Sequence, residues 1–140
     1  MGELNAQQFG LCDIQGRLFE LALKNGYNCK NFIEKFMNSK TAAALDENYD
    51  RLQWAGEEYI LEELVDEVGG IEKGGETYHN EIMYWSGYTY RYRKYYTGES
   101  SAEIYKIANA ETMAGCYLGF HTLDVKMAID RLKESHKGKN

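Results

Sequence analysis

The stretch from Ile82 to Tyr96, IMYWSGYTYRYRKYY, gives the strongest indication of the fold. It contains six of the chain's twelve tyrosines and one of its two tryptophans. At about 100° per residue these positions divide into two helical faces. One face carries Tyr84, Tyr95, Tyr88, Tyr92, Trp85, Tyr96, Thr89 and Ile82. The other carries Tyr90, Arg91, Arg93, Lys94, Ser86 and Gly87. The pattern predicts an amphipathic helix with an aromatic wall packed inward and a cationic face turned outward.

The composition outside this stretch also favours a helical globular domain. The chain has 140 residues, of which 44% are hydrophobic and 27% charged, so it is long enough to bury one core. Proline is absent, and helices tolerate its absence best. The fourteen glycines are then expected to end helices and form turns.

Apolar periodicity and capping residues predict helices along most of the chain. The expected segments are 6–24, a short helix between Asn28 and Asn38, 40–53 with Leu45, Tyr49 and Leu52 on one face, 57–68, the tyrosine helix, a helix started by a capping box of Ser100 and Glu103, 110–120, and a last helix after Asp124. The predicted fold is an all-α, compact single-domain bundle of six or seven helices.

A glycine-rich segment divides the predicted bundle into two halves. Residues 69–77, GGIEKGGET, contain four glycines and show no apolar periodicity. We therefore expect halves 1–68 and 81–140, joined by a connector over 69–80. The segment has no Gly-Lys-Ser/Thr ending and follows no strand, so it matches neither phosphate-binding glycine motif.

No metal, cofactor or catalytic site is predicted. Cys12, Cys29 and Cys116 form no CxxC pair, and each stands where a small buried hydrophobe would serve. Cys116 and His121 are poorly phased on one helix, and no second ligand pair completes a tetrahedral set. The chain also lacks a signal-like start and a long apolar run, which predicts a cytoplasmic protein outside the membrane.

Charge is distributed unevenly along the chain. The net charge is −6, but residues 43–81 carry twelve acids and only two bases. Three interpretations of the Tyr90–Lys94 face follow. Its arginines can pair with the chain's own acidic middle, the face can bind an acidic protein, or it can bind nucleic acid through phosphate contacts and base stacking. The low overall pI weighs against nucleic acid.

Two blocks of the sequence resemble small, uncharacterised bacterial helical proteins of phage or mobile-element type. The first block follows the pattern Leu-Asp-x-x-Tyr-Asp-x-Leu and then Gly-Glu-Glu-Tyr-Ile. Its positions here are Leu45, Asp46, Tyr49, Asp50, Leu52, Gly56, Glu57, Glu58, Tyr59 and Ile60. The second comprises Tyr90-Arg91-Tyr92, Thr97-Gly98-Glu99-Ser100, Glu103-Ile104-Tyr105 and His121-Thr122-Leu123-Asp124. The resemblance implies an antitoxin or regulatory binding role beside ADP-ribosyltransferase-like or other toxin-like products, and it brings no catalytic residues.

Together these observations predict a non-enzymatic protein-binding module. The predicted contact set is Tyr90, Arg91, Arg93 and Lys94, with Trp54, Glu57 and Glu58 as a second patch at a turn between helices. Three alternatives stay open: a nucleic-acid-binding regulator using the same Tyr/Arg face, a small enzyme with a site between the halves, and a protein that pairs with its own copy.

Overall fold

The computed structural model describes residues 3–48 and 50–138, which form a compact all-α fold. Its α-helices are α1 (Ala6–Lys24), α2 (Cys29–Met37), α3 (Lys40–Asp46), α4 (Glu57–Val68), α5 (Asn80–Thr97), α6 (Ser101–Ile107), α7 (Ala110–Phe120) and α8 (Val125–Gly138). A 3-10 helix, Arg51–Trp54, lies between α3 and α4. The predicted all-α class is confirmed. The predicted count of six or seven helices is wrong, because the described residues alone contain eight.

Local capping chemistry explains most helix boundaries. The side chains of Asn5, Asn28 and Ser100 each accept a hydrogen bond from a backbone N–H in the first turn of the helix that follows. Ser100 and Glu103 form the predicted capping box. At the other end, α4 and α5 stop at Gly69 and Gly98, whose φ angles of +77° and +83° are left-handed conformations that glycine adopts without strain.

The predicted helix over 40–53 is too long. The chain leaves the helical path after Asp46, whose carboxylate turns inward to other elements. The side-chain amide of Gln53 donates to the carbonyls of Leu45 and Glu47, taking the place of backbone donors that a longer helix would have supplied. Asp50 then caps the 3-10 helix by accepting from the Leu52 amide. Tyr49, which we expected on this face, lies outside the described residues.

Helix α5 runs through the centre of the fold and packs along α1. Two glycines allow the close approach. A Cβ on Gly87 would lie 2.5 Å from the carbonyl oxygen of Gln15, and one on Gly16 would lie 2.7 Å from the ring of Tyr84. Small residues at such positions let two helix backbones come closer than larger side chains permit.

The main core lies on one side of this helix pair. The ring of Phe19 packs edge-on against Phe32 and Phe36, with centroid distances of 5.1 and 5.6 Å, and Tyr90 lies at 6.1 Å. Edge-on aromatic pairs add to the stabilisation that comes from burial alone. A smaller buried cluster on the other side of α5 contains Leu4, Cys12, Tyr92 and Ile129.

The glycine-rich residues between α4 and α5 pack against the corner between α1 and α2. The backbone N–H of Asn28 donates to the carbonyl of Glu72, and that of Gly74 donates to the carbonyl of Gly26. Tyr27 and Lys73 form an isolated antiparallel bridge. The predicted glycine-rich connector between two halves is therefore not matched, because this segment is hydrogen-bonded to the corner between α1 and α2. Within the described residues, no helix combines the length and apolar character needed to span a membrane.

Substitution of Gly87 by alanine should destabilise the protein, whereas substitution of Gly115 should stabilise it. The new methyl group at position 87 meets the Gln15 backbone, and overpacking of this kind costs about 1–3 kcal/mol. At position 115, in α7, a new Cβ meets no atom within 4 Å. Alanine there should therefore raise the free energy of unfolding by about 0.5–1 kcal/mol through helix propensity.

Urea-induced unfolding followed by circular dichroism measures both effects. Both variants replace a helical glycine by alanine. A loss of stability at position 87 together with a gain at position 115 can therefore be assigned to the close approach of α1 and α5. Equal stability of the two variants would contradict this packing.

Candidate functional site

The cationic face predicted for the tyrosine helix is not on the surface. Tyr90 and Arg91 are each 1% exposed and Arg93 is 2% exposed, while Lys94 is half-buried. The prediction that Tyr90, Arg91 and Arg93 face outward is wrong, whereas Lys94 keeps part of its side chain at the surface. Since a partner cannot reach buried groups, Tyr90, Arg91 and Arg93 do not form the predicted contact set.

Arg91 lies at the meeting point of several helices, and each of its three guanidinium nitrogens has a hydrogen-bond partner in one of them. Its Nη1 atom is 2.7 Å from Oδ1 of Asp46, at the end of α3. Its Nε donates to the side-chain oxygen of Gln15 in α1 at 2.9 Å, and its Nη2 donates to Ser101 Oγ in α6 at 3.4 Å. One guanidinium from α5 thus links α1, α3 and α6.

The other members of this network are bonded to one another as well. Both the backbone N–H and the hydroxyl of Ser101 donate to the carboxylate of Asp46, at 2.9 and 2.8 Å. The side-chain amide of Gln15 donates to the carbonyl of Gly87 at 2.9 Å. Burying an ion pair is favourable only when its remaining polar atoms are satisfied, and this network meets that condition.

Arg93 is held by a different carboxylate. Its Nε and Nη2 atoms donate to the two oxygens of Glu99 at 2.7 and 3.2 Å, and the Thr97 hydroxyl donates to the same carboxylate. Burial raises the pKa of Glu99, but the hydrogen bonds from Arg93 and Thr97 outweigh it, and the pKa is lowered from its usual value. Arg93 Nη1 has no hydrogen-bond partner among the described residues.

The buried tyrosine of this helix also has an internal partner. The hydroxyl of Tyr90 donates to the carbonyl of Ala108 at 2.6 Å, where α6 ends. Burial raises its pKa well above the usual value. Of the three interpretations given above, pairing of the arginines with the acidic middle of the chain holds for Arg91 through Asp46, whereas Arg93 pairs with Glu99, which lies outside residues 43–81.

The predicted aromatic wall is only half-buried. Tyr84, Tyr88, Tyr95 and Tyr96 all retain intermediate exposure. The hydroxyl of Tyr84 donates to Asp13. The pKa of Tyr84 is raised above its usual value. Burial is the largest cause, and the hydrogen bond to Asp13 is the next. On this face the hydroxyls of Tyr84 and Tyr96 reach carboxylates, Asp13 and Asp130, whereas the buried Tyr95 hydroxyl has no hydrogen-bond partner among the described residues.

A cleft of about 390 Å³ opens beside the Arg91 network. Its lining includes Asp46, Glu47, Lys94 and Tyr95. The Asp46 carboxylate is already occupied by Arg91 and Ser101, so it is not available to bind or deprotonate a ligand. A small enzyme with a site between the halves stays a prediction. Among the described residues, no group of three or more His, Cys, Asp or Glu side chains is arranged to hold a metal ion.

The second predicted patch, in contrast, lies on the surface. The Trp54 side chain is 78% exposed, Glu58 and Tyr59 are exposed, and Glu57 is partly exposed. We call the three predicted residues Trp54, Glu57 and Glu58, together with the adjacent Tyr59, the Trp54 surface. They stand where the 3-10 helix ends and α4 begins.

The backbone beneath the Trp54 surface is firmly held. Leu52 and Gln53, the two middle residues of the 3-10 helix, are buried, and Gln53 reaches back to the end of α3. Arg51 bonds the Tyr59 hydroxyl at 3.2 Å and Glu63 at 2.7 Å. The exposed indole is therefore carried on an ordered turn rather than on a loose loop.

Comparisons with protein-family models, with curated proteins and with solved structures found no match to this chain.

Replacing Arg91 by methionine should cost far more stability than replacing Arg17. Loss of Arg91 leaves the Asp46 carboxylate, itself only 10% exposed, without its cation. Breaking a buried pair in this way costs about 3–5 kcal/mol. Arg17 pairs with Asp13 at 3.1 Å, but both side chains are largely exposed, and such pairs contribute about 0–1 kcal/mol.

A double-mutant cycle measured by urea unfolding tests the network directly. Arg91→Met combined with Asp46→Asn should recover part of the loss, because no unpaired charge stays buried. Strict additivity of the two single substitutions would show that Arg91 and Asp46 are not coupled.

Stability should fall in acid partly through Glu99. Because its folded-state pKa is lowered, its contribution is complete above the unfolded value of about 4.3 and is lost as pH falls through the folded pKa. Glutamine resembles the protonated acid, so Glu99→Gln should be less stable than wild type at pH 7, and the difference should be smaller at about pH 3. Chemical unfolding at the two pH values measures this difference. The exposed Glu134→Gln should show little change at either pH, and a Glu99 difference independent of pH would contradict the assignment.

Proposed function

We propose that this chain is a non-enzymatic protein-binding module and that it contacts its partner through the Trp54 surface. One observation carries the proposal: a tryptophan side chain left 78% exposed on an ordered turn. Tryptophan and tyrosine are enriched in the residues that dominate binding energy at protein interfaces, because they bring large contact areas at low entropic cost.

The environment of the indole supports the same proposal. Trp54 is flanked by Glu57, Glu58 and Tyr59, so an apolar anchor stands beside two carboxylates. Neither carboxylate forms an ion pair in the part of the chain that the structure describes. An apolar anchor bordered by polar, solvent-accessible side chains matches the usual composition of an interface, in which a polar rim surrounds an apolar centre.

A toxin-like bacterial protein is the partner that the resemblance described above implies. In this proposal the chain neutralises or regulates that partner by covering part of its surface. The resemblance includes Gly56, Glu57, Glu58 and Tyr59, which belong to the same turn as the exposed indole.

Nucleic acid is a less suitable partner for this geometry. The nucleic-acid alternative depended on Arg91 and Arg93, which lie inside and are paired. The Trp54 surface carries carboxylates, which repel phosphate groups. We therefore restrict the proposal to a protein partner.

Trp54→Ala should weaken partner binding by about thirtyfold or more, since truncating an interface anchor costs about 2 kcal/mol or more. The experiment begins with affinity capture from the native host in the presence of the neighbouring gene products. The dissociation constant of the purified pair is then measured by isothermal titration calorimetry for wild type and variants.

Leu118→Ala is a matched control. Leu118 is 83% exposed on α7, so its truncation removes a comparably exposed apolar side chain from a different element. We expect wild-type affinity for the control and unchanged unfolding curves for both variants. Equal affinities of wild type and Trp54→Ala would refute the proposal.

A further inference from the structure

A groove of about 430 Å³ runs between α1 and α4, next to the Trp54 surface. Leu21, Tyr27, Leu61 and Val65 provide its apolar lining. The groove and the Trp54 surface share Glu58, so the two are continuous.

Three carboxylates line the α4 side of this groove. Glu58, Glu62 and Asp66 follow one another at intervals of four residues, so they stand one above another on one helical face. All three are exposed, and none pairs with a cation among the described residues.

The neighbouring acids of α4 have internal partners. Glu63 pairs with Arg51 at 2.7 Å. Glu67 accepts hydrogen bonds from the backbone N–H groups of Lys40 and Thr41, and thereby caps the start of α3. The fold uses these two carboxylates and leaves the groove carboxylates unmatched.

Leaving them unmatched has a cost. Like charges four residues apart destabilise a helix by about 0.2–0.5 kcal/mol per pair. Asp66 also lies in the last turn of α4, which contains no basic residue, where a negative charge opposes the helix dipole. A cation from outside the chain would relieve both effects.

We propose that the α1–α4 groove docks a basic amphipathic helix of the partner protein. An apolar side chain of that helix lies on Leu61 and Val65. Its Lys or Arg residues, spaced about one turn apart, meet the carboxylates of Glu58, Glu62 and Asp66. A helix fits because its repeat of about 5.4 Å per turn is close to the spacing of the carboxylates on α4. This inference rests on the proposed function, since it names the partner element that binds beside Trp54.

The two sides of the groove also differ in charge. On the α1 side, Lys73 lies over the ring of Tyr27 at 4.9 Å and bonds the carbonyl of Asn25. A docked helix would therefore place its basic face toward α4 and away from Lys73. The excess of acids in residues 43–81 would in addition accelerate encounter with a basic partner.

The test uses a synthetic amphipathic helical peptide of leucine and arginine, with a leucine–glutamate peptide of the same pattern as its counterpart. Binding is measured by fluorescence anisotropy against wild type and the triple variant Glu58→Gln, Glu62→Gln, Asp66→Asn. A matched control, Glu34→Gln, Glu81→Gln, Glu134→Gln, removes the same number of exposed charges elsewhere.

We expect the arginine peptide to bind wild type and the control alike, with affinity that falls as salt rises. The triple variant should bind at least about tenfold more weakly and should unfold at an equal or higher urea concentration, because repulsion along α4 is removed. An equal loss in the control, or equal binding of the glutamate peptide, would overturn the proposal by showing that the groove is not selective.

The captured partner separates this inference from the proposed function. If Trp54→Ala weakens binding of that partner but the triple variant does not, the groove assignment fails and the protein-binding proposal stands. If neither variant weakens binding of the partner, both the groove assignment and the protein-binding proposal fail. Dimerisation of the chain that the triple variant abolishes would identify a second copy as the occupant and would also overturn the assignment.

Discussion

The buried guanidinium of Arg91 is the constraint on which the rest of the fold depends. A charge removed from water must be matched by hydrogen bonds and by an opposite charge, and here the partners come from three other helices. Meeting that requirement fixes the positions of Gln15, Asp46 and Ser101 relative to α5. The central helix is therefore held by polar contacts along one side and by aromatic packing around Phe19 along another.

The same network shapes the surface that we associate with binding. Asp46 is drawn inward to Arg91 and Ser101, and α3 ends at that residue. The chain then crosses to a 3-10 turn that presents Trp54 before α4 begins. An exposed anchor on an ordered support binds with a smaller entropic penalty than one on a mobile loop. The interior and the proposed interface are thus connected through a few residues.

The acidic side chains of helix α4 divide between contacts inside the fold and the groove that we propose as a docking site. The leucine stripe of α4 faces the core, and Glu63 and Glu67 hold Arg51 and the start of α3. Glu58, Glu62 and Asp66 line the groove and have no cation of their own within residues 3–48 and 50–138. Folding alone would not require this excess of negative charge. A cation from outside the chain would reduce the repulsion among these carboxylates.

Sequence reasoning assigned the helices well because their ends are local events. Asn5, Ser100 and Gly98 act within one turn of their own positions, and such signals can be read without knowing the rest of the fold. The prediction of one helix over 40–53 failed because side-chain contacts end α3 at Asp46. Asp46 bonds the distant Arg91, and Gln53 bonds the backbone carbonyls of Leu45 and Glu47. Sequence reasoning also placed Tyr90 and Gly87 on the outward face of α5, although Tyr90 is buried and Gly87 marks the closest approach of α1.

The sequence by itself determined that this chain is helical, where most of its helices begin and end, and that an acidic middle contains a tryptophan at a turn. Those properties follow from periodicity, capping and composition, which are local. Only the tertiary structure decided which side of α5 lies inside. A helix that packs against neighbours on several sides has no single solvent-facing side, so its sequence shows no simple alternation of polar and apolar residues. It also decided that Arg91 and Arg93 face inward while Trp54 faces outward. The burial of a cation depends on the carboxylates that the fold brings to it, and those carboxylates can be as distant along the chain as Asp46.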